Sequence, residues 1–142
     1  MCRSPLAEAI FSHLVKEAGI ADKVKVDSAA SGLWEVGSPT HPRIISILKA
    51  RGIDYQHTAR LLRPEDLTKF GYILGMDNDV LRSIWAIGKG PAKIQPFVKY
   101  TPHLKIEQVP DPMRSGDFDE TYSIVLSGCQ FFLAFLRQTH DI

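Results

Sequence analysis

Apolar residues recur along this chain with two alternating periods. Leu6, Ile10 and Leu14 return every four residues behind Ser4-Pro5, and Gly19 closes the run. Serine is a favoured helix cap, proline suits a first helical position and glycine suits the end, so a helix opening at Ser4 is predicted. Val24–Ser28 alternates like a short strand, and Ala29–Pro42 is a loop rich in Gly, Ser and Pro. A second helix is predicted from Arg43 to Ala50, stopped by Gly52, with a turn at Leu61–Glu65. The continuous run Tyr72-Ile73-Leu74-Gly75-Met76 reads as a strand buried on both faces. It ends at Asp77, and a helix carrying Val80, Leu81 and Ile84 follows. Lys89–Pro102 reads as irregular, Ile106–Val109 as the last strand, Asp111–Gly116 as a loop, and Phe118–Arg137 as one long helix.

Helices alternating with strands predict an α/β fold on a parallel sheet. Ligands of such sheets sit at the carboxyl ends of the strands. The loops after Ser28, at Asp77 and at Asp111 therefore face a site, as does the segment Met1–Pro5 leading into the first helix. No strand-like run precedes that helix in the sequence, which is unusual for a fold of this kind.

Composition narrows the picture. With 142 residues, one domain spanning 1–142 and a sizeable core are expected. A net charge of +1 gives no broad field for nucleic acid or an anionic membrane, so any anion site is local. No stretch approaches the roughly 18 apolar residues of a membrane span. The N-terminus has no signal-peptide pattern, so a cytoplasmic protein is expected. Cys2 and Cys129 have no metal or C-x-x-C spacing and read as two free thiols. No metal and no cofactor are expected.

Candidate chemistry begins with Arg3-Ser4-Pro5. A helix N-terminus offers unpaired N–H groups and the positive end of the helix dipole, and arginine adds a planar fork of donors suited to phosphate. Alone this is a common pattern, since many helices begin Ser-Pro and many arginines are simply solvated. Asp111 before proline can be a turn former, Asp77 reads as a helix cap, and Arg114 as a solvated charge. Phe131, Phe132 and Phe135 read as core of the last helix.

The wider pattern resembles a known family. Cys2-Arg3-Ser4-Pro5-Leu6-Ala7-Glu8-Ala9, Val26-Asp27-Ser28-Ala29-Ala30-Ser31 with Trp34, His57-Thr58-Ala59-Arg60, Tyr72-Ile73-Leu74 with Met76-Asp77, and Val109-Pro110-Asp111-Pro112 follow in the order and spacing of the low-molecular-weight protein-tyrosine phosphatases. The resemblance covers essentially the whole chain. It implies a single three-layer domain, with helices flanking a short parallel sheet of four strands. It also implies a metal-independent phosphomonoesterase that hydrolyses phosphotyrosine or similar aryl phosphates through a phosphocysteine. Arg3 would hold the phosphoryl oxygens and Asp111 would be the general acid. Cys2, Ser4, Trp34 and Met113 would lie against the substrate, and Ser28 and His57 would brace the phosphate loop. The implied partners are a phosphorylated protein or a small aryl phosphate, bound as an anion at the N-terminus of the first helix.

The sequence departs from the family in two places. The signature Cys-x5-Arg, counted back from Arg3, puts the nucleophile and the first strand ahead of Met1, where the family commonly has isoleucine. The expectation is therefore a shortened N-terminus and an inactive chain at this length. Its alternative is a non-catalytic phosphate-binding or interaction module of the same fold. Lastly, Met113 stands where an aromatic residue is usual. An arsenate reductase on the same scaffold would need further cysteines near the site, and only Cys129 is left over.

Overall fold

The computed structural model describes residues 2–142, apart from the side chain of Trp34. Its regular elements are α1 (Arg3–Glu17), a 3₁₀ turn (Leu33–Glu35), α2 (Pro42–Ala50), α3 (Asp66–Lys69), β1 (Tyr72–Gly75), α4 (Asn78–Ala86), β2 (Lys93–Pro96), a second 3₁₀ turn (Phe97–Tyr100), α5 (Pro112–Ser115) and α6 (Phe118–His140). No helix among the described residues is long and apolar enough to cross a membrane.

The sheet is small. β1 and β2 pair in parallel, with Tyr72 opposite Lys93 and Leu74 opposite Gln95. The two-residue alternation of a strand divides their side chains between two faces. Tyr72 and Leu74 join the larger core with Leu6 and Ile10 of α1 and Val125 and Phe132 of α6. Ile73 and Ile94 pack on the other face against Leu67, Leu81 and Ile84. Gly75 permits the close seating of α4, because a Cβ there would lie 2.7 Å from Leu81 Cδ2.

The helix ends follow local rules. After α1, Gly19 N–H bonds Lys16 C=O and Ile20 N–H bonds Val15 C=O; after α2, Gly52 and Ile53 repeat the pattern with Lys49 and Leu48. Both glycines have positive φ, +73° and +76°, as this terminating motif requires. Helix starts are capped by Asp77, Asp111 and Asp117, whose carboxylates accept from Val80, Met113 and Glu120 N–H.

Five local expectations need correction. The helix expected to open at Ser4 opens at Arg3, with Cys2 as its cap. Ser4 and Pro5 lie within the first turn, where a missing proline N–H costs nothing because that N–H has no intrahelical partner anyway. Val24–Ser28 has the alternating burial of a strand, with Val24 and Val26 packed on the core, but forms no ladder among the described residues. Ile106–Val109 is irregular, although Val109 N–H reaches Met76 C=O at 2.9 Å. The last strand is instead Lys93–Pro96, within the stretch read as irregular. It is short and ends in proline, so it carries little of the pattern that marks a strand. Asp111–Gly116, read as a loop, contains the one-turn helix α5.

Between Val24–Ala29 and β1 lies a cavity of ≈240 Å³, closed on one side by Ala7, Phe11 and Phe132 and on the other by Leu62, Val80 and Ile84.

Candidate functional site

The site forms where α1 begins and β1 ends. Arg3, the first residue of α1, sends its guanidinium across to two other segments. Nη2 donates to Asp77 Oδ2 at 2.7 Å and Nη1 donates to Val109 C=O at 2.8 Å. Asp77 follows β1 directly, and its second oxygen accepts from Val80 N–H at 2.8 Å. One carboxylate thus caps α4 and orients Arg3. Both partners are largely buried, with side-chain exposures of 16% and 19%. Burial works to raise the Asp77 pKa, but the Val80 N–H and the Arg3 cation outweigh it and hold the carboxyl below its ordinary value.

The bond from Arg3 to Val109 has a second effect. Val109 leads through Pro110 into Asp111, so the arginine ties the Asp-Pro segment to the start of α1. Asp111 caps α5, its Oδ1 accepting from Met113 N–H at 3.0 Å. Cys2 lies buried behind these groups. Burial pushes its thiol pKa up, the Asp111 carboxylate acts in the same direction, and Arg3 opposes them. Arg3 has five N–H donors, of which only two are engaged among the described residues.

A second group lies along the same helix. Ser28 Oγ donates to Glu8 Oε1 at 2.9 Å, and His57 stands 3.6 Å from that carboxylate oxygen and 3.4 Å from Ser28 Oγ. Tyr55 stacks on His57, with ring centroids 5.9 Å apart. Burial, with the Glu8 carboxylate beside it, pushes the Tyr55 hydroxyl pKa well up. One oxygen or nitrogen each from Glu8, Asp27 and His57 fall within 4.8 Å of one another. Each of these groups hydrogen-bonds to Ser28, which accounts for their proximity without an ion.

Of the residues singled out in the sequence, Arg3, Cys2 and Asp111 converge at the α1 N-terminus, and Ser28 and His57 meet at Glu8. Ser4, in the first turn of α1, borders the cavity with Ser28. Met113 is largely exposed at α5, as is Arg114. Trp34 belongs to the 3₁₀ turn, but its side chain lies outside the described part of the structure. Sequence reasoning missed two participants. Asp77 was read as a cap alone; its position at the carboxyl end of a buried strand was the available signal for a further role. Glu8 was not singled out, though it stands four residues from Ser4 and so on the same helix face.

Comparison with known proteins follows the same outline. The family model described as "Low molecular weight phosphotyrosine protein phosphatase" matches residues 1–141. The chain is 35% identical over 145 residues to the low molecular weight protein-tyrosine-phosphatase YfkJ of Bacillus subtilis, an alignment covering 100% of this chain and 93% of that protein. The crystal structure of YfkJ superposes with a TM-score of 0.91, covering 97% of this chain and 89% of that one. The Drosophila arginine phosphatase superposes with a TM-score of 0.89 at 31% identity, over 96% of this chain and 92% of that one.

Proposed function

The chain belongs to the low molecular weight phosphotyrosine protein phosphatase family, and from that premise we propose that the α1 N-terminus receives the phosphoryl group of a phosphotyrosine or similar aryl phosphate. The observation that carries this reading is the double tether of Arg3 to Asp77 and Val109. It spends the arginine's charge on a single carboxylate and leaves three N–H donors for an incoming anion. The N–H groups of the first turn and the helix dipole add to the attraction. Asp111, on the segment that Arg3 holds in place, is the general acid that protonates the leaving phenol oxygen. Ser4 and Cys2 border the phosphoryl group, Trp34 and Met113 border the ring, and Glu8, Ser28 and His57 keep the start of α1 in position. Arginine phosphatase activity is the named activity of one structural relative, and phosphoarginine is a second substrate class to assay. Two buried free thiols suit a cytoplasmic, reducing setting.

Turnover through a phosphocysteine needs a thiolate, which is favoured by nearby cations and disfavoured by burial. Both cysteines of this chain are buried with raised pKa, and Cys129 lies in α6 with its Sγ toward Ala7 C=O. We therefore propose that these 142 residues bind the phosphoryl group without hydrolysing it.

Two measurements test this reading. Inorganic phosphate titrated into the ¹⁵N-labelled chain should shift the Ser4 amide saturably, and Arg3→Ala should raise the phosphate concentration needed at least tenfold; saturation unaffected by that change would refute the site. Hydrolysis of p-nitrophenyl phosphate should be absent in this chain and present in one extended ahead of Cys2 with a family-type strand and Cys-containing loop. Turnover by the 142 residues would overturn the second proposal. A folded but inactive extended chain would instead favour the non-catalytic phosphate-binding module.

A further inference from the structure

The outer edge of β2 has no part in the reaction just described. β2 pairs with β1 on one side only, and its other side is open among the described residues. Lys93 N–H bonds Gly71 C=O at 2.8 Å. Main-chain groups alternate in direction along a parallel strand, so Lys93 and Gln95 turn theirs to β1 and Ile94 turns its N–H and C=O outward. Neither Ile94 group meets a partner among the described residues.

The side chains around this edge combine aromatic surface with unpaired cations. Val80 and Ile84 of α4 line the cavity on the β1 side. Successive helix residues turn by about 100°, so Trp85 falls on the opposite flank, toward the edge of β2. It is 56% exposed. On the other face Phe131 of α6 is 46% exposed beside Tyr100, whose hydroxyl donates to Gln95. The stretch 80–106 holds five of the 17 Lys and Arg and none of the 16 Asp and Glu. Lys89, Lys93 and Lys99 are exposed, and none meets a carboxylate among the described residues.

Lysines and flanking prolines, here Pro91 and Pro96, keep an open edge from pairing with apolar strands or with another copy of itself. The same lysines draw an acidic strand. We propose that the outer edge of β2 takes an extended acidic segment of a partner protein. An anionic membrane would meet the lysines but does not offer N–H and C=O groups at strand spacing to Ile94. The two-residue alternation of strands sets the pattern of the segment. Its residue paired with Ile94 lies on the α4 face and is apolar, against Ile94 and Trp85. The residues on either side lie on the face of Lys93 and Gln95 and are acidic. The segment therefore alternates acidic and apolar, with affinity from charge and from main-chain bonds. The proposal does not depend on phosphate binding, and its test does not use it.

The probe is a dye-labelled, end-capped peptide Gly-Glu-Val-Glu-Ile-Glu-Val-Gly. One control carries lysine at its three glutamates, and another carries proline in place of isoleucine, which removes a ladder donor. Fluorescence anisotropy at low salt should give saturable binding of the acidic peptide at least tenfold tighter than of either control. Hydrogen exchange at the Ile94 amide should slow at least tenfold. Trp85→Ser should weaken binding several-fold. Lys93→Glu should weaken it at least tenfold and should improve binding of the lysine peptide, a reversal that loss of structure would not give. Failure to saturate, equal binding of the controls, or protection that omits Ile94 would each overturn the proposal. So would binding of phosphatidylserine vesicles that protects Ile94 where the peptide does not, since the occupant would then be a membrane. Concentration-dependent dimerisation that protects Ile94 without peptide would overturn it in favour of a second copy of this chain.

Discussion

Two arginines in this protein are partly buried beside aspartates, yet they are held in opposite ways. Arg60 is saturated. Its Nε donates to Asp27 Oδ2 at 3.0 Å, Nη1 and Nη2 form a fork on Asp66, and Nη1 also reaches Leu61 C=O. Two carboxylates surround it, and Asp66 is almost fully buried and also accepts from Arg63 N–H. Arg3 faces a single carboxylate and one carbonyl and keeps donors in reserve. An arginine enclosed by excess negative charge is a fastener, and one with its charge merely balanced and its fork half-used is able to meet an anion. Counting arginines near aspartates would not separate the two; counting spent donors does.

The largest way to break this comparison is Arg60→Ala. It should cost about 3–5 kcal/mol in urea unfolding, because Asp66 would be left buried without its partner. Arg60→Lys should recover only part of this, since an ammonium cannot reproduce the fork. A neutral result would mean that the fork is not what holds 60–66 together. Next in size, Arg3→Ala should weaken phosphate binding by about 1.5–3 kcal/mol, the worth of a charge-assisted hydrogen bond. Calorimetry would measure that loss. It should cost less stability than Arg60→Ala, because Asp77 keeps its bond to Val80 N–H.

Acid titration sharpens the contrast further. Asp66 and Asp77 both have pKa values held below the ordinary 3.8 by their hydrogen bonds and arginines, in spite of burial. A group with a lowered folded pKa adds stability that is complete above its unfolded value and lost as pH falls through the folded one. Unfolding free energy should therefore decline below about pH 4. Asp66→Asn should flatten that acid limb, and Asp77→Asn should flatten it less if the saturated pair is the stronger. Equal slopes in all three chains would show that neither pair governs acid stability. The smallest effect is expected from Asp111→Asn, below about 0.5 kcal/mol in stability, since asparagine also caps a helix well. In the extended chain the same change should slow hydrolysis of poor leaving groups far more than activated ones, as removal of a general acid does.

Much of this organisation was legible beforehand where it depends on neighbours in sequence. The helix stops at Gly19 and Gly52, the strand at Tyr72–Gly75 and the cap at Asp77 are local consequences of backbone freedom, side-chain period and a carboxylate beside free N–H groups. The resemblance of ordered segments also pointed to Arg3 and Asp111. What escaped was whatever required a distant partner. Val24–Ser28 has the residues of a strand and the burial pattern of one, but a strand is completed by hydrogen bonds to another, and among the described residues this one has none. Lys93–Pro96 has little strand pattern and pairs because β1 lies alongside.

The amino-acid sequence by itself therefore determined the longer helices, their glycine stops, the α/β character and the residue types at the site. The tertiary structure alone decided that Arg3 spans 74 positions to Asp77 and 106 to Val109, that Glu8 and His57 both meet Ser28, and that a cavity lies between Val24–Ala29 and β1. The division is physical. Helix periodicity and capping are settled within a few residues, whereas ion pairs, strand edges and cavities exist only between segments that folding brings together.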